Sequence, residues 1–242
     1  MASATPSARG EPAGSAGTSA SRILAIDVSG PSGGAALLGP EGVLVERVPP
    51  AVRRGRDLVP AVARLLDARG LSPGDLDLVA CGVGPGSFTG IRIGIATAAT
   101  LAYAADAPVL DVGSLFGIAF GASATFQRVV VLLDARQGRV FRGRFRREGE
   151  RLVAEADDDV PTAEEAAAAL PPGAYVLGDA RAKYAPLFAA FPGEPDAPVR
   201  PDAIARLAAE RFAAGERKRP DELRPVYLRL SDPEIRRAQR AP

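Results

Sequence analysis

Asp27 closes an apolar run at 23–27 and Asp134 closes another at 128–134, and each stands just before a glycine-bearing turn. A carboxylate in that place either caps its own turn or reaches past the strand end to hold a hard cation. The 242 residues contain no histidine. That excludes nucleophile activation by imidazole and histidine-ligated zinc or iron, and it leaves magnesium as the ion suited to the remaining oxygen donors. Residues 82–94 read Gly-Val-Gly-Pro-Gly-Ser-Phe-Thr-Gly-Ile-Arg-Ile-Gly. A glycine turn between a strand and a helix aims backbone N–H groups and the positive end of the helix dipole at one point, which suits an anion. The single cysteine, Cys81, lies in an apolar strand and reads as a small buried hydrophobe.

The elements that must carry these residues follow from period and punctuation. Residues 22–29 are almost continuously apolar, as in a strand covered on both faces. Turns at 30–34 and 40–42 bracket strands over 35–38 and 43–48, so the chain opens as an antiparallel meander. An amphipathic helix over 57–69 has Pro60 in its first turn and Gly70 as its stop. A strand over 76–83, the glycine loop, a helix over 90–105 and a strand over 108–112 complete a βββαβα order with a closing strand. After a connecting helix over 114–121 the order recurs. Strands span 128–134, 140–147 and 151–156, and a helix over 162–170 opens on a Thr162/Glu165 capping box. A strand over 174–177, a helix over 181–190, a strand over 197–200 and a helix over 202–214 follow. Asp27 then matches Asp134 and Gly84 matches Gly178, which marks a duplicated domain. The expected division is a disordered extension at 1–20, lobes at 21–112 and 113–215, and a tail at 216–242 whose apolar island, 223–230, docks on the body.

The helix over 90–105 has no wet side, and Arg92 is its only charge. Small residues at 90, 94 and 98 let a second helix come close, so one face is expected to meet another subunit, against the alternative of enclosure within its own domain. Arg142, Arg144 and Arg146 alternate along one strand and share a face, which is either a solvated sheet surface or a strip that follows nucleic-acid phosphates. A formal net charge of +1 gives no bulk attraction to nucleic acid or membrane. No apolar run of bilayer length is expected, and the lone cysteine fits a reducing cytoplasm.

Two such halves, each with a carboxylate at its first hairpin, resemble the actin, hexokinase and Hsp70 class of α/β folds. In that class the two hairpins clasp a nucleotide through magnesium. The likeness makes Asp27, Ser29, Gly84, Gly86 and Asp134 candidate nucleotide-binding residues, although Arg136-Gln137-Gly138 lacks the form of a phosphate cradle. More specifically, ILAIDVS at 23–29, GVGPGSFTGIRIGIATAATLA at 82–102, PVLDVGSL at 108–115, DARQGRVF at 134–141 and PVYLR at 225–229 resemble the bacterial TsaB (YeaZ) family. The strand-end triplet, Asp27-Val28-Ser29, departs from that family's usual Asp-Thr-Ser.

The resemblance implies a non-catalytic paralogue of TsaD, the enzyme that transfers a threonylcarbamoyl group to the adenosine beside the tRNA anticodon. It implies pairing with TsaD through the two helices of the first lobe, self-pairing as a dimer when TsaD is absent, and docking of TsaE near the junction. Leu58, Val62 and Leu65 on one helix, and Gly90, Ile91, Gly94, Ile95, Ala98 and Ala102 on the other, are then the expected partner-binding residues. No tightly bound cofactor is expected in the chain itself. ATP or ADP with magnesium belongs to the interface of the complex, and contact with tRNA is indirect. The alternative is a magnesium-dependent ATPase or phosphotransferase using Asp27 and Asp134. A peptidase is disfavoured, because the sequence offers no activated nucleophile.

Overall fold

The computed structural model describes residues 21–30, 32–48 and 54–229. The expected disordered extension at 1–20 and the end of the tail, 230–242, lie outside the described residues.

Strand β1 (Ile23–Asp27) is buried along its whole length, and its alternate residues belong to two different cores. Leu24 and Ile26 face one way and Ile23 and Ala25 the other, which is why the sequence shows an unbroken apolar run instead of alternation. β2 (Gly33–Gly39) and β3 (Gly42–Val48) continue as the antiparallel meander, and β4 (Leu78–Gly82) and β5 (Val109–Val112) add in parallel. The sheet order is β3-β2-β1-β4-β5. Helices α1 (Arg54–Asp67) and α2 (Phe88–Ala105) cover one face.

After α3 (Ser114–Ala119) the pattern repeats with β6 (Arg128–Arg136), β7 (Arg139–Glu148) and β8 (Arg151–Asp159). Then come α4 (Ala163–Ala168), β9 (Tyr175–Leu177), α5 (Ala180–Lys183), α6 (Ala185–Phe188) and β10 (Gly193–Glu194). The second sheet runs β8-β7-β6-β9-β10, the same order as the first. β6 again splits its apolar run, with Val129, Val131 and Leu133 toward α3 and Val130 and Leu132 toward α4 and α6. The identical strand order bears out the duplicated two-lobe α/β fold.

Three expectations are corrected. The helix expected over 181–190 is two short helices, because Pro186 lacks the N–H that would carry the helix across Tyr184. No strand forms over 197–200. The edge strand is Gly193–Glu194 instead, and Pro195 and Pro198 deny the later segment its ladder donors. The last helix, α7 (Pro201–Ala213), does not join the second lobe. Ile204, Ala205 and Ala208 pack on Ile23, Ala25, Leu78, Ala80 and Leu110, so α7 covers the other face of the first sheet. Beyond it, Lys218 pairs with Val109 at the sheet edge, and Leu223 is buried in the α1–α2 core. The tail at 216–226 is thus laid against the first lobe, and Leu228 packs on the core of the second.

Candidate functional site

Asp27 is fully buried, and its Oδ1 accepts the N–H of Ser29 at 2.8 Å, so the carboxylate caps its own turn. β4 passes beside it at Gly82, where a Cβ would overlap the carboxyl group, and only glycine leaves the room. The glycine loop closes on the same hairpin. Ser87 N–H donates to the Ser29 carbonyl at 2.7 Å, and a Cβ on Gly86 would lie 2.6 Å from that oxygen. Gly84 N–H donates to Ser114 Oγ at 2.9 Å, and Ser114 N–H returns a bond to Gly84 O at 2.8 Å. Ser87 Oγ accepts from Gly90 N–H at 3.3 Å and caps α2. The structure therefore brings Asp27, Ser29, Gly84 and Gly86 together. However, the amides of Gly84, Ser87 and Gly90 are taken by the chain's own oxygens, and the loop is a joint between β1, α2 and α3 more than an open anion cradle.

Asp134 has a different setting in the second lobe. Lys183 Nζ sits 2.7 Å from Oδ2, Arg136 N–H donates to Oδ1 at 2.9 Å, and Asp134 N–H donates to Asp179 Oδ1 at 2.8 Å. The bond to Asp134 raises the Lys183 ammonium above the ordinary lysine range, while burial and then the neighbouring Asp134 charge raise the Asp179 carboxyl. An ammonium thus pairs with the carboxylate that the nucleotide-clasp reading would give to magnesium. Among the described residues no three of His, Cys, Asp or Glu cluster so as to hold a metal. Cys81 is buried, and desolvation first, then Asp27 and Asp111, push its thiol well above the usual range, which disfavours the thiolate.

The helices reverse the expected interface. Gly90, Ile91, Gly94, Ala98 and Ala102 are the buried stripe of α2. A Cβ on Gly94 would stand 3.5 Å from Val28 Cγ2 and 3.9 Å from Cys81 Sγ. The small residues admit the chain's own sheet, not a partner helix. Leu58, Val62 and Leu65 likewise point into the core from α1. Of the expected partner-binding set, Ile95 alone stays half-exposed. The opposite side of the same helices is free of the sheet. On α2 it presents Thr89, Arg92, Ala96, Thr100 and Tyr103, the last 64% exposed, and on α1 it presents Val59 (55% exposed), Pro60 and Ala63 beside the charged Arg56, Arg64 and Asp67. Thr100 turns its hydroxyl back to Ala96 O at 2.8 Å, which makes this side still less polar. α2 is also long and apolar enough, by length and composition, to cross a membrane, contrary to the sequence expectation. In this fold it is a layer on the first sheet.

At the N-terminal end of that side stands a group that sequence reading missed. The rings of Phe88 and Tyr227 stack with centroids 4.6 Å apart. The Arg92 guanidinium lies 3.9 Å over the Phe88 ring, and its Nε donates to Tyr227 Oη at 2.9 Å. The strap at 223–229 delivers Tyr227. Leu223 is buried and Val226 N–H bonds Val83 O at 2.8 Å, while upstream Lys218 is tied to Asp111 at 2.6 Å. The Phe88/Arg92 spacing of four is visible in the sequence. The third member, 135 residues away, is not.

Comparison with known proteins adds a second line of observation. The family model for TsaD, tRNA N6-adenosine threonylcarbamoyltransferase, matches residues 48–192. An uncharacterized protein of Mycobacterium tuberculosis is 34% identical over 215 residues, 88% of this chain and 93% of its own length. The tRNA threonylcarbamoyladenosine biosynthesis protein TsaB of Bacillus subtilis is 36% identical over 125 residues, 51% of this chain and 54% of its own. The solved structure of YeaZ from Pseudomonas aeruginosa superposes with a TM-score of 0.75 at 27% identity, covering 86% of this chain and all of that one. The chain belongs to the TsaB (YeaZ) family.

Within that family frame the arginine strip reads as internal pairing. Arg142 holds Asp159 through two bonds of 2.9 and 2.7 Å, Arg144 reaches the same carboxylate at 3.3 Å, and Arg146 pairs with Glu148. Arg142 and Arg144 face the acidic end of β8 and Arg146 pairs along its own strand, so of the two readings of this face the phosphate-tracking strip is the one these ion pairs disfavour.

Proposed function

We propose that this TsaB-family protein is the non-catalytic subunit that binds and activates a TsaD-type transferase for threonylcarbamoyl transfer to the adenosine beside the tRNA anticodon. The observation that carries the reading is the outer side of α2, a largely apolar helix surface whose one charge is Arg92, flanked on α1 by exposed Val59, Pro60 and Ala63. Such a contiguous patch fits a protein partner. The TsaD family model spans α1 and α2, so the likeness to TsaD includes these two helices. Homologous lobes can pair across a pseudo-two-fold axis, each giving the same patch. Self-pairing through that patch when TsaD is absent, docking of TsaE beside it, and ATP or ADP with magnesium at the junction belong to the same proposal, as does a cytoplasmic setting.

A passive catalytic role agrees with the residues. There is no histidine, the only thiol is buried, and Lys183 occupies Asp134. Purified protein mixed with TsaD from the same organism should give a hetero-complex by light scattering. Tyr103→Asp or Ala96→Asp should abolish it while leaving the thermal midpoint nearly unchanged, since both side chains are exposed. No complex from the wild-type protein, with or without nucleotide, would overturn the reading.

A further inference from the structure

We infer that Arg92, held by Phe88 and Tyr227, is the polar anchor of this docking side and receives a carboxylate of the partner protein. The inference rests on the proposed pairing and specifies its chemistry. Arg92 is the only charged residue on α2, and among the described residues it makes no ion pair. Its position is nevertheless fixed, because the guanidinium carbon lies 3.9 Å over Phe88 and Nε is bonded to Tyr227 Oη. Stacking immobilises the plane, and the Nε bond sets its rotation. The two terminal nitrogens are left as a fork whose geometry matches a carboxylate.

A cation fixed in advance on a helix otherwise lacking charge is a specificity device. It costs affinity for any partner that leaves it dry and unmatched, and it favours a partner with an acid at that place. α2 itself carries no acidic residue, so a second copy facing this helix with its own α2 brings another arginine and no acid. A polyphosphate is the poorer match. α2 supplies no second cation, and the amides of Gly84, Ser87 and Gly90 beside it are already bonded. Tyr227 is a positioning residue in this arrangement, delivered by a strap anchored at Leu223 and Val226.

The test is calorimetric titration of TsaD from the same organism into wild-type protein, Arg92→Gln, Arg92→Lys, Tyr227→Phe and Ala96→Asp, at about 50 and about 300 mM salt. Arg92→Gln should weaken binding ~10-fold or more and flatten its salt dependence. Arg92→Lys should recover the salt dependence but only part of the affinity, because an ammonium lacks the fork. Tyr227→Phe should lose a few-fold in affinity with the salt slope kept. Thermal midpoints of the four variants report whether each is folded. If Arg92→Gln binds like wild type at both salts while Ala96→Asp does not bind, the docking side stands and the anchor is overturned. If Arg92→Gln differs from wild type only when ATP or ADP is present, the acceptor is a nucleotide phosphate and the carboxylate is overturned. If wild-type protein forms no complex, the proposed function fails first and the anchor with it.

Discussion

Gly94 shows how a single residue can be legible in type and illegible in direction. Its small size on an apolar helix announces a close approach, but the sequence does not say whether a sister subunit or the chain's own sheet comes near. The structure gives the sheet, with Val28 Cγ2 3.5 Å and Ile26 Cγ2 4.0 Å from where an alanine methyl would stand. Gly94→Ala should therefore fit and gain up to ~1 kcal/mol of helix propensity. Gly94→Leu should lose about 2–3 kcal/mol by overpacking, instead of sparing the fold as a surface position would. Urea denaturation of the two variants separates these outcomes. Asp158 is a second residue whose setting matters more than its type. Burial first, then the charge of Asp159, raise its carboxyl to about 6 against an attraction from Arg144. A carboxyl raised on folding keeps more protons in the native state, so its contribution is most favourable below about pH 4 and is lost as pH rises through about 6. Asp158→Asn should stabilise the protein by ~1 kcal/mol at pH 7, screened by its partial exposure, and by nothing near pH 4. Thermal melts at the two pH values check the sign.

At the scale of elements, apolar period and turn chemistry located nearly every strand and helix. The Thr162/Glu165 box forms as read, with bonds of 3.1 and 2.8 Å. The faces of α1 and α2 were harder. A helix that is apolar or small all round has no polar side to orient it, so the expected interface fell on the buried stripe and the exposed one was missed. The strap is the element whose docking was foreseen and whose job was not. Its Leu223 belongs to the same core as Leu58 and Val83, and Lys218 extends the edge of β5 through two backbone bonds with Val109 of 2.9 and 3.1 Å. Leu223→Ala should cost about 2–4 kcal/mol as a buried leucine truncation. It should also raise hydrogen exchange in the first turn of α2, where Phe88 loses the Tyr227 ring. Exchange that rises only in the strap would uncouple the two.

The whole molecule keeps one sheet plan twice, and that much is written in the repeat of aspartate, hairpin and glycine. What sequence order concealed is that α7, which follows the second sheet, completes the first. The nucleotide-clasp constellation was legible only as a set of residue types. Asp27 and its glycine loop do assemble, yet Asp27 caps its own turn, the loop amides are bonded within the chain, and Asp134 meets Lys183. Titration of magnesium-ATP into the isolated chain should accordingly give no tight, saturable binding, and tight binding lost in Asp27→Asn would restore the enzyme alternative.

The crossing of α7 has a consequence for the birth of the protein on the ribosome. Until residue 213 clears the exit tunnel, Ile23, Ala25, Leu78, Ala80 and Leu110 lie bare along one side of a sheet whose strands were made long before. The N-terminal half must wait, unsealed and adhesive, for its last layer. A fragment ending at residue 112 should thus be sticky and protease-sensitive, whereas extension through residue 229 should render it resistant in one step.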